Sequence, residues 1–233
     1  MNTYYNKTPR TRVRRRAGRG SYERATIDAI LDEGLVAHAG IVSDGQPYVI
    51  PVLYARAGSQ IYLHGSPLSR LVRSLSEGFP MCLTVTLLDG LVLARSAFHH
   101  SMNYRSVVVL GRGHPVRERD EKREALRVLV ERLVPGRSED ARGPSAKELR
   151  ATEVVALPID EASAKIRTGP PKDDEDDLTL PVWAGEVPLR MVPGEPVGAP
   201  GVLPNVVLPP YAASYGGPVP VEAGPLLDGR EEG

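Results

Sequence analysis

The segment spanning residues 61–75, IYLHGSPLSRLVRSL, concentrates side chains that bind anions. An apolar run ends at His64, a tight Gly65-Ser66-Pro67 turn follows, and a helix is expected to begin near Pro67. Proline is tolerated at a first helical position because its missing N–H would be unbonded there anyway. The free N–H groups and the dipole of a helix start favour an anion. Ser66 and Ser69 add hydroxyls, and Arg70 and Arg73 add guanidinium groups that can grip a phosphate in bidentate fashion. The same residues also describe a capped amphipathic helix with solvated arginines, and the residue types alone leave both readings open. His64, with an unperturbed pKa near 6.5, can hydrogen-bond a ligand, shuttle a proton or simply bond to backbone.

A second segment, 98–113, reads FHHSMNYRSVVVLGRG. Polar residues 99–106 lead into a strongly apolar strand, a pattern that suits a barrel mouth or an ordinary polar loop. His99 and His100 are adjacent, so on a strand they point to opposite faces. Five histidines without an HxxxH or HxH pattern, and one cysteine, give no metal signature. Cys82 reads as a small buried hydrophobe, and His38 as a core or interface residue.

The elements that must position these residues follow from periodicity and turn chemistry. A helix is expected over 21–33, capped by Ser21 and stopped by Gly34, with Ile27, Ile30 and Leu31 on one face. Strands are expected over 35–43, 48–56 (broken or bulged at Pro51) and 60–64, with turns at Asp44-Gly45 and Gly58-Ser59. A helix over 67–77 precedes strands 81–88 and 91–97, placed around an Asp89-Gly90 turn. A strand over 105–113, a helix over 118–133 with Leu126, Leu129, Val130 and Leu133 inward, and strands 152–157 and 162–167 complete the pattern. Short turns imply antiparallel pairing, and closure hides the strand edges. The fold class is therefore mainly β with inserted helices, an antiparallel barrel of six to eight strands.

The chain has 233 residues, of which 23 are Gly and 22 are Pro, and these crowd beyond residue 193. Three regions are expected: a basic flexible arm over 1–20, a folded domain over 21–190, and a Pro/Gly-rich extension over 191–233. The extension cannot build a core alone, but Val202, Leu203, Val206, Val207 and Leu208 tilt it towards docking on the body or on a partner subunit. Lys plus Arg equals Asp plus Glu at 29 each, which speaks against a nucleic-acid binder. One cysteine excludes an intramolecular disulfide, and no apolar run is long enough to span a membrane. A cytoplasmic protein is expected.

Taken in order, LDEGLVAHAGIVSDGQPYVIPVLYA, IYLHGSPLSR, MNYRSVVVLGRG, and KIRTGPP followed by LPVWAGEVPL resemble the pyridoxamine 5′-phosphate oxidase-like superfamily of FMN-binding split barrels. Within it the sequence looks most like the nitroimidazole-resistance (Nim-like) branch, over roughly 21–189. The resemblance implies a split barrel, an FMN cofactor and a homodimer with the cofactor at its interface. Ser69 and Arg70 match the Ser-Arg pair that holds the FMN phosphate. Leu71 stands where the oxidases often carry a lysine, and Arg73 is the candidate replacement. The strand 48–53, with Val49, Ile50, Pro51 and Val52, matches the backbone that meets the flavin ring edge. His64 and Gly65 sit where Nim-like proteins carry their characteristic histidine, which makes His64 the candidate catalytic residue. Asn103, Tyr104, Arg105 and Ser106 would reach the partner chain's cofactor, and Trp183 matches a tryptophan near it. The arginines that bind pyridoxal phosphate have no match here, so vitamin B6 oxidation is not expected. The implied function is an FMN-dependent oxidoreductase passing electrons from a reduced nicotinamide or other donor to a small organic acceptor. The alternative is a flavin- or haem-binding storage or sensor protein without turnover.

Overall fold

In the computed structural model, which describes residues 2–218, strand β1 (Gly20–Ser21) leads into helix α1 (Arg24–Glu33). The helix starts later than its sequence pattern suggests, because the Gly20 and Ser21 backbone is committed to a ladder with Lys165 and Ala164. At Gly34, where it ends, φ is an ordinary −72°. Glycine is needed for space: a Cβ would lie 2.4 Å from Val85 Cγ1 and 2.9 Å from Tyr54 Oη.

Strands β2 (Val36–Ser43) and β3 (Gln46–Leu53) form a hairpin closed by Asp44 and Gly45, both at positive φ, 53° and 76°. Such turns match the twist of the strands they join. The register runs unbroken from Ser43↔Gln46 to Val36↔Leu53, so Pro51 is neither a break nor a bulge. It is tolerated because β3 lies at the sheet edge, where a missing N–H costs no ladder bond. The break falls instead at Tyr54, whose buried hydroxyl donates to Leu31 O at 2.5 Å. Beyond it, β4 (Ala55–Ala57) and β5 (Gln60–Gly65) belong to a second sheet.

Helix α2 (Arg70–Ser76) follows, then β6 (Pro80–Leu93) and β7 (Ser101–Arg112). The expected Asp89-Gly90 turn is a bulge inside one long strand, with the register shifting between Leu88 and Gly90. Gly90 passes under β11 (Gly185–Pro188), where a Cβ would lie 2.9 Å from Val187 O. Strand β8 (His114–Pro115), helices α3 (Arg119–Leu133), α4 (Arg137–Asp140) and α5 (Ala146–Ala151), and strands β9 (Glu153–Pro158) and β10 (Glu161–Arg167) complete the body. A last short helix, α6 (Pro210–Ala213), returns to it.

The seven-stranded sheet runs β1-β10-β7-β6-β2-β3 with β11 added to β6, and the four-stranded sheet runs β4-β5-β9-β8. All pairs are antiparallel, and the two sheets make the split barrel anticipated from sequence. Its interior holds Ala37, Ala39 and Ile41 of β2, Leu83 and Val85 of β6, and Val107 and Val109 of β7, with α1 and α2 packed over them. A second cluster lies between α3 and the smaller sheet, around Tyr62, Val128, Leu129 and Val154.

Strand alternation then puts Val36 and Val42 of β2 and Val49 and Leu53 of β3 outward, all exposed. His38 shares that outward face. No Asp, Glu, Lys or Arg occupies an outward position on these two strands.

The amino-terminal segment lies against the body rather than apart from it. Tyr5 is buried and donates to Asp28 Oδ1 at 2.7 Å. Thr8 Oγ1 and Arg10 Nη2 meet the Glu161 carboxylate at 2.9 and 2.7 Å. Those anchors outweigh the basic composition that suggested a flexible arm. Residues 189–209 run over the surface without helix or strand, with turns closed by Val202 N on Ala199 O and Val206 N on Leu203 O, and residues 219–233 lie outside the described residues. No helix among the described residues is long and apolar enough to cross a membrane.

Arg132 is the buried tie between α3 and the barrel. Its guanidinium is 1% exposed and donates to the carbonyl oxygens of Leu31, Asp32 and Gly34, at the open end of α1. Arg132→Met removes those bonds, leaving Leu31 O to Tyr54 alone and taking the buried donor from Asp32 O and Gly34 O. The expected loss is about 3 kcal/mol at roughly 1 kcal/mol per bond, read as a lower denaturant midpoint with an unchanged m-value.

Candidate functional site

Strand β5 carries His64 to the edge of the barrel. Alternation puts Ile61 and Leu63 into the barrel core and Tyr62 towards α3. His64, two residues on, shares Tyr62's side. Gly65 lets α2 close over the strand end, since a Cβ there would lie 2.9 Å from Val72 Cγ2. His64 opens into a groove of about 1110 Å³ between Leu53, α3 and the loop before α5.

The wall of this groove explains an excess in the α3 sequence. Ala125, Val128, Leu129 and Arg132 are the residues α3 buries. Leu126, expected to point inward, packs against the second core cluster and also lines the groove, whereas Val130 and Leu133, expected inward too, line the groove without joining the buried set. An apolar stripe wider than one packing face was the signal available in sequence for this wall. Arg123, Arg127, Arg137 and Arg142 line the groove alongside Asp120, Glu124, Asp140 and Glu148. Arg127 pairs with Glu124 at 2.6 Å and Arg142 with Glu148 at 2.6 Å.

The groove walls strip water from His64 and lower its pKa below the ordinary value, although part of the ring stays open to solvent. Near neutral pH the imidazole is therefore neutral, with one nitrogen lone pair free to accept a proton or bind a metal. Among the described residues no hydrogen bond uses that ring, and no group of three or more His, Cys, Asp or Glu is placed to hold a bare metal ion.

The proposed phosphate cradle is only partly as expected. Helix α2 begins at Arg70, with Ser69 as its cap. Ser69 Oγ accepts from Val72 N at 3.2 Å, and Ser66 Oγ accepts from Leu68 N at 3.2 Å, which fixes both hydroxyls at the turn and leaves each O–H as a donor. The cations remain available: Arg70 stacks over the Tyr48 ring, 4.0 Å from its centroid, and Arg73 is exposed. Tyr48 belongs to β3, which also carries Val49, Ile50, Pro51 and Val52. Val49 and Pro51 face outward, while Ile50 and Val52 pack on the core.

The other candidates lie elsewhere in the chain. Residues 103–106 are on β7, separated from β3 by β6 and β2. Asn103 is buried and donates to Glu186 while accepting from Arg167. Arg105 is held by Glu33 Oε1 at 2.7 Å and by Asp89 Oδ1 at 2.7 Å, which raises its pKa further. Ser106 Oγ donates to Lys165 O at 3.2 Å, and Tyr104 is half-buried. Arg167 donates to Gly169 O and Pro170 O at 2.7 and 3.1 Å. Trp183 is 66% exposed and leans over Gly185, where a Cβ would meet its ring at 2.8 Å.

The lowered pKa of His64 makes a signed prediction. Between the folded value and the ordinary value near 6.5, the unfolded chain binds more protons than the folded one, so stability falls as pH drops through this window. His64→Gln should flatten that part of the profile in denaturant melts between about pH 7.5 and about pH 5.5. An identical slope in the variant contradicts the burial argument.

The comparisons with known proteins fit this geometry. Residues 23–166 match the family model described as pyridoxamine 5′-phosphate oxidase. The flavocytochrome Anf3 from Azotobacter vinelandii is 44% identical, with 88% of this chain and 95% of that one covered at a TM-score of 0.84. The FAD and heme binding protein from Mycobacterium smegmatis is 38% identical, with 86% and 98% covered at 0.81. A protein assigned to 5-nitroimidazole antibiotic resistance in Bacteroides thetaiotaomicron is 24% identical over 63% of this chain and 86% of that one, and at a TM-score of 0.53 it shares the fold. No curated protein matches the sequence. With the family model spanning the barrel from α1 to β10, the chain belongs to the pyridoxamine 5′-phosphate oxidase family.

Proposed function

We propose that the chain is a redox protein that binds a flavin and a haem and passes electrons between a reduced nicotinamide and an acceptor. The observation that carries this reading is the His64 groove. It joins a neutral imidazole, an apolar wall from α3 and, within a mixed charged lining, Arg123, which among the described residues pairs with none of the groove's acids. A haem asks for those three things: an axial nitrogen, an apolar slot and cations near its propionates. The similarity to a flavocytochrome and to a FAD and heme binding protein supports the same pairing.

A flavin exchanges two electrons with a nicotinamide, and a haem one at a time. The chain's own residues have simpler tasks. His64 supplies a lone pair, and Leu126, Val130 and Leu133 keep water from one face of the slot. Arg70, held over Tyr48, and Arg73 stand ready for a flavin phosphate. The Ser69-Arg70 match favours FMN. FAD carries the same ring and the same first phosphate, so these cations serve either. The uncharged outward face of β2 and β3 suits a homodimer with the flavin between copies, where residues 103–106 and Trp183 of the second copy come into reach.

Two measurements test the reading. Denatured protein should release a flavin and a haem identifiable by mass, and NADH or NADPH should bleach the bound flavin. Release of neither cofactor overturns the proposal, and flavin that no donor reduces makes the chain a binder without turnover. Arg70→Gln should raise the flavin dissociation constant about tenfold, equivalent to about 1.4 kcal/mol, and leave haem content unchanged. An unchanged flavin affinity removes Arg70 from the phosphate site.

A further inference from the structure

Residues 189–209 cross the surface as a strap tied at both ends. At one end β11 pairs with β6, and Leu189 N donates to Asp89 O at 3.0 Å. At the other, α6 brings Tyr211 to the α4 corner, where its hydroxyl donates to Asp140 Oδ2 at 2.5 Å and accepts from Arg137 Nη1 at 2.8 Å. Between these ties the apolar side chains point into solvent: Met191 is 88% exposed, Val197 93% and Val207 83%. Only Arg190 and Glu195 carry charge in this stretch. Proteins seldom leave a contiguous apolar surface of this kind uncovered.

The chain exposes a second surface of matching chemistry, the uncharged outward face of β2 and β3 with Val36, Val42, Val49 and Leu53. In the single chain neither surface covers the other, since both remain exposed. The geometry points to the strap of one copy lying across the outward β2–β3 face of a second copy, and reciprocally. This rests on the homodimer in the proposed function and names the segment that builds its interface.

A two-fold arrangement buries both apolar surfaces twice with one contact. The prolines at 193, 196, 200, 204 and 209 and the turns at 199–202 and 203–206 restrict the strap's backbone, which lowers the entropy lost on docking. They also deprive it of N–H donors, so it covers a sheet face rather than adding a strand to an edge. A membrane-surface segment would carry cations beside its apolar residues. From Met191 to Pro209 this one carries none.

The test compares three chains by sedimentation and by hydrogen exchange: the full chain, a chain ending at Leu189, and the full chain with Val197→Asp and Val207→Asp. The aspartate variant alters only exposed positions, so it folds even if the truncation does not. The full chain should be dimeric. Both variants should raise the dimer dissociation constant at least tenfold and speed amide exchange over 36–53. A monomeric full chain overturns the homodimer reading together with this inference. A dimer whose dissociation constant and exchange are unchanged in both variants overturns the strap alone. Protection of the strap only when anionic vesicles or another protein are added also overturns it.

Discussion

The carbonyl end of α1 is the point on which the rest of the molecule hangs. Three backbone oxygens there, from Leu31, Asp32 and Gly34, take the buried guanidinium of Arg132. The Tyr54 hydroxyl takes Leu31 O as well, and the Asp32 carboxylate accepts Arg56 Nε at 2.8 Å. Helix ends leave carbonyls unmet, and burying them without partners costs about 1–3 kcal/mol each. Here the same bonds that satisfy them also join three parts of the chain. Arg132 brings α3, and Tyr54 and Arg56 bring the crossover from the larger sheet to the smaller. Desolvation works against a buried guanidinium and lowers the pKa of Arg132, so the tie holds only with its acceptors in place. Because α3 forms one wall of the His64 groove, the groove's width is set at this buried cluster rather than at its rim.

The barrel and its turns were legible because local chemistry and global fold agree. Asp44-Gly45 encodes its turn through positive φ, and alternation along β2 and β6 separates core from surface. The failures share one cause, which is that a strand's continuity depends on what crosses it. Asp89-Gly90 reads as a turn, yet it is a bulge because β11 packs on Gly90 and Asp89 holds Arg105. Pro51 reads as a break, yet an edge strand absorbs it, and the break falls at Tyr54 because its hydroxyl is needed at α1. The basic composition of the first twenty residues hid Tyr5 and Thr8, whose partners Asp28 and Glu161 are distant in sequence.

The site was half legible. The strand-turn-helix around His64 is where sequence placed it, with Arg70 stacked on Tyr48 of β3 and Arg73 exposed on α2. The serines of the same motif each accept one backbone N–H, a local bond that residue types cannot reveal, and their O–H groups keep the capacity to donate to an anion. The apolar slot beside His64 needed the helix to be seen in place, since Val130 and Leu133 look like core residues until Ala125, Val128 and Leu129 are found to fill that role. What emerges is a barrel with a groove under α3, a cationic corner at α2 and an uncharged, exposed face on β2 and β3.

The most direct test is the optical spectrum of haem-supplemented protein, compared between the natural chain and His64→Ala. The account predicts a haem-protein spectrum in the natural chain, its loss in the variant, partial restoration by added imidazole, and equal flavin content throughout. An unaltered haem spectrum in His64→Ala contradicts it.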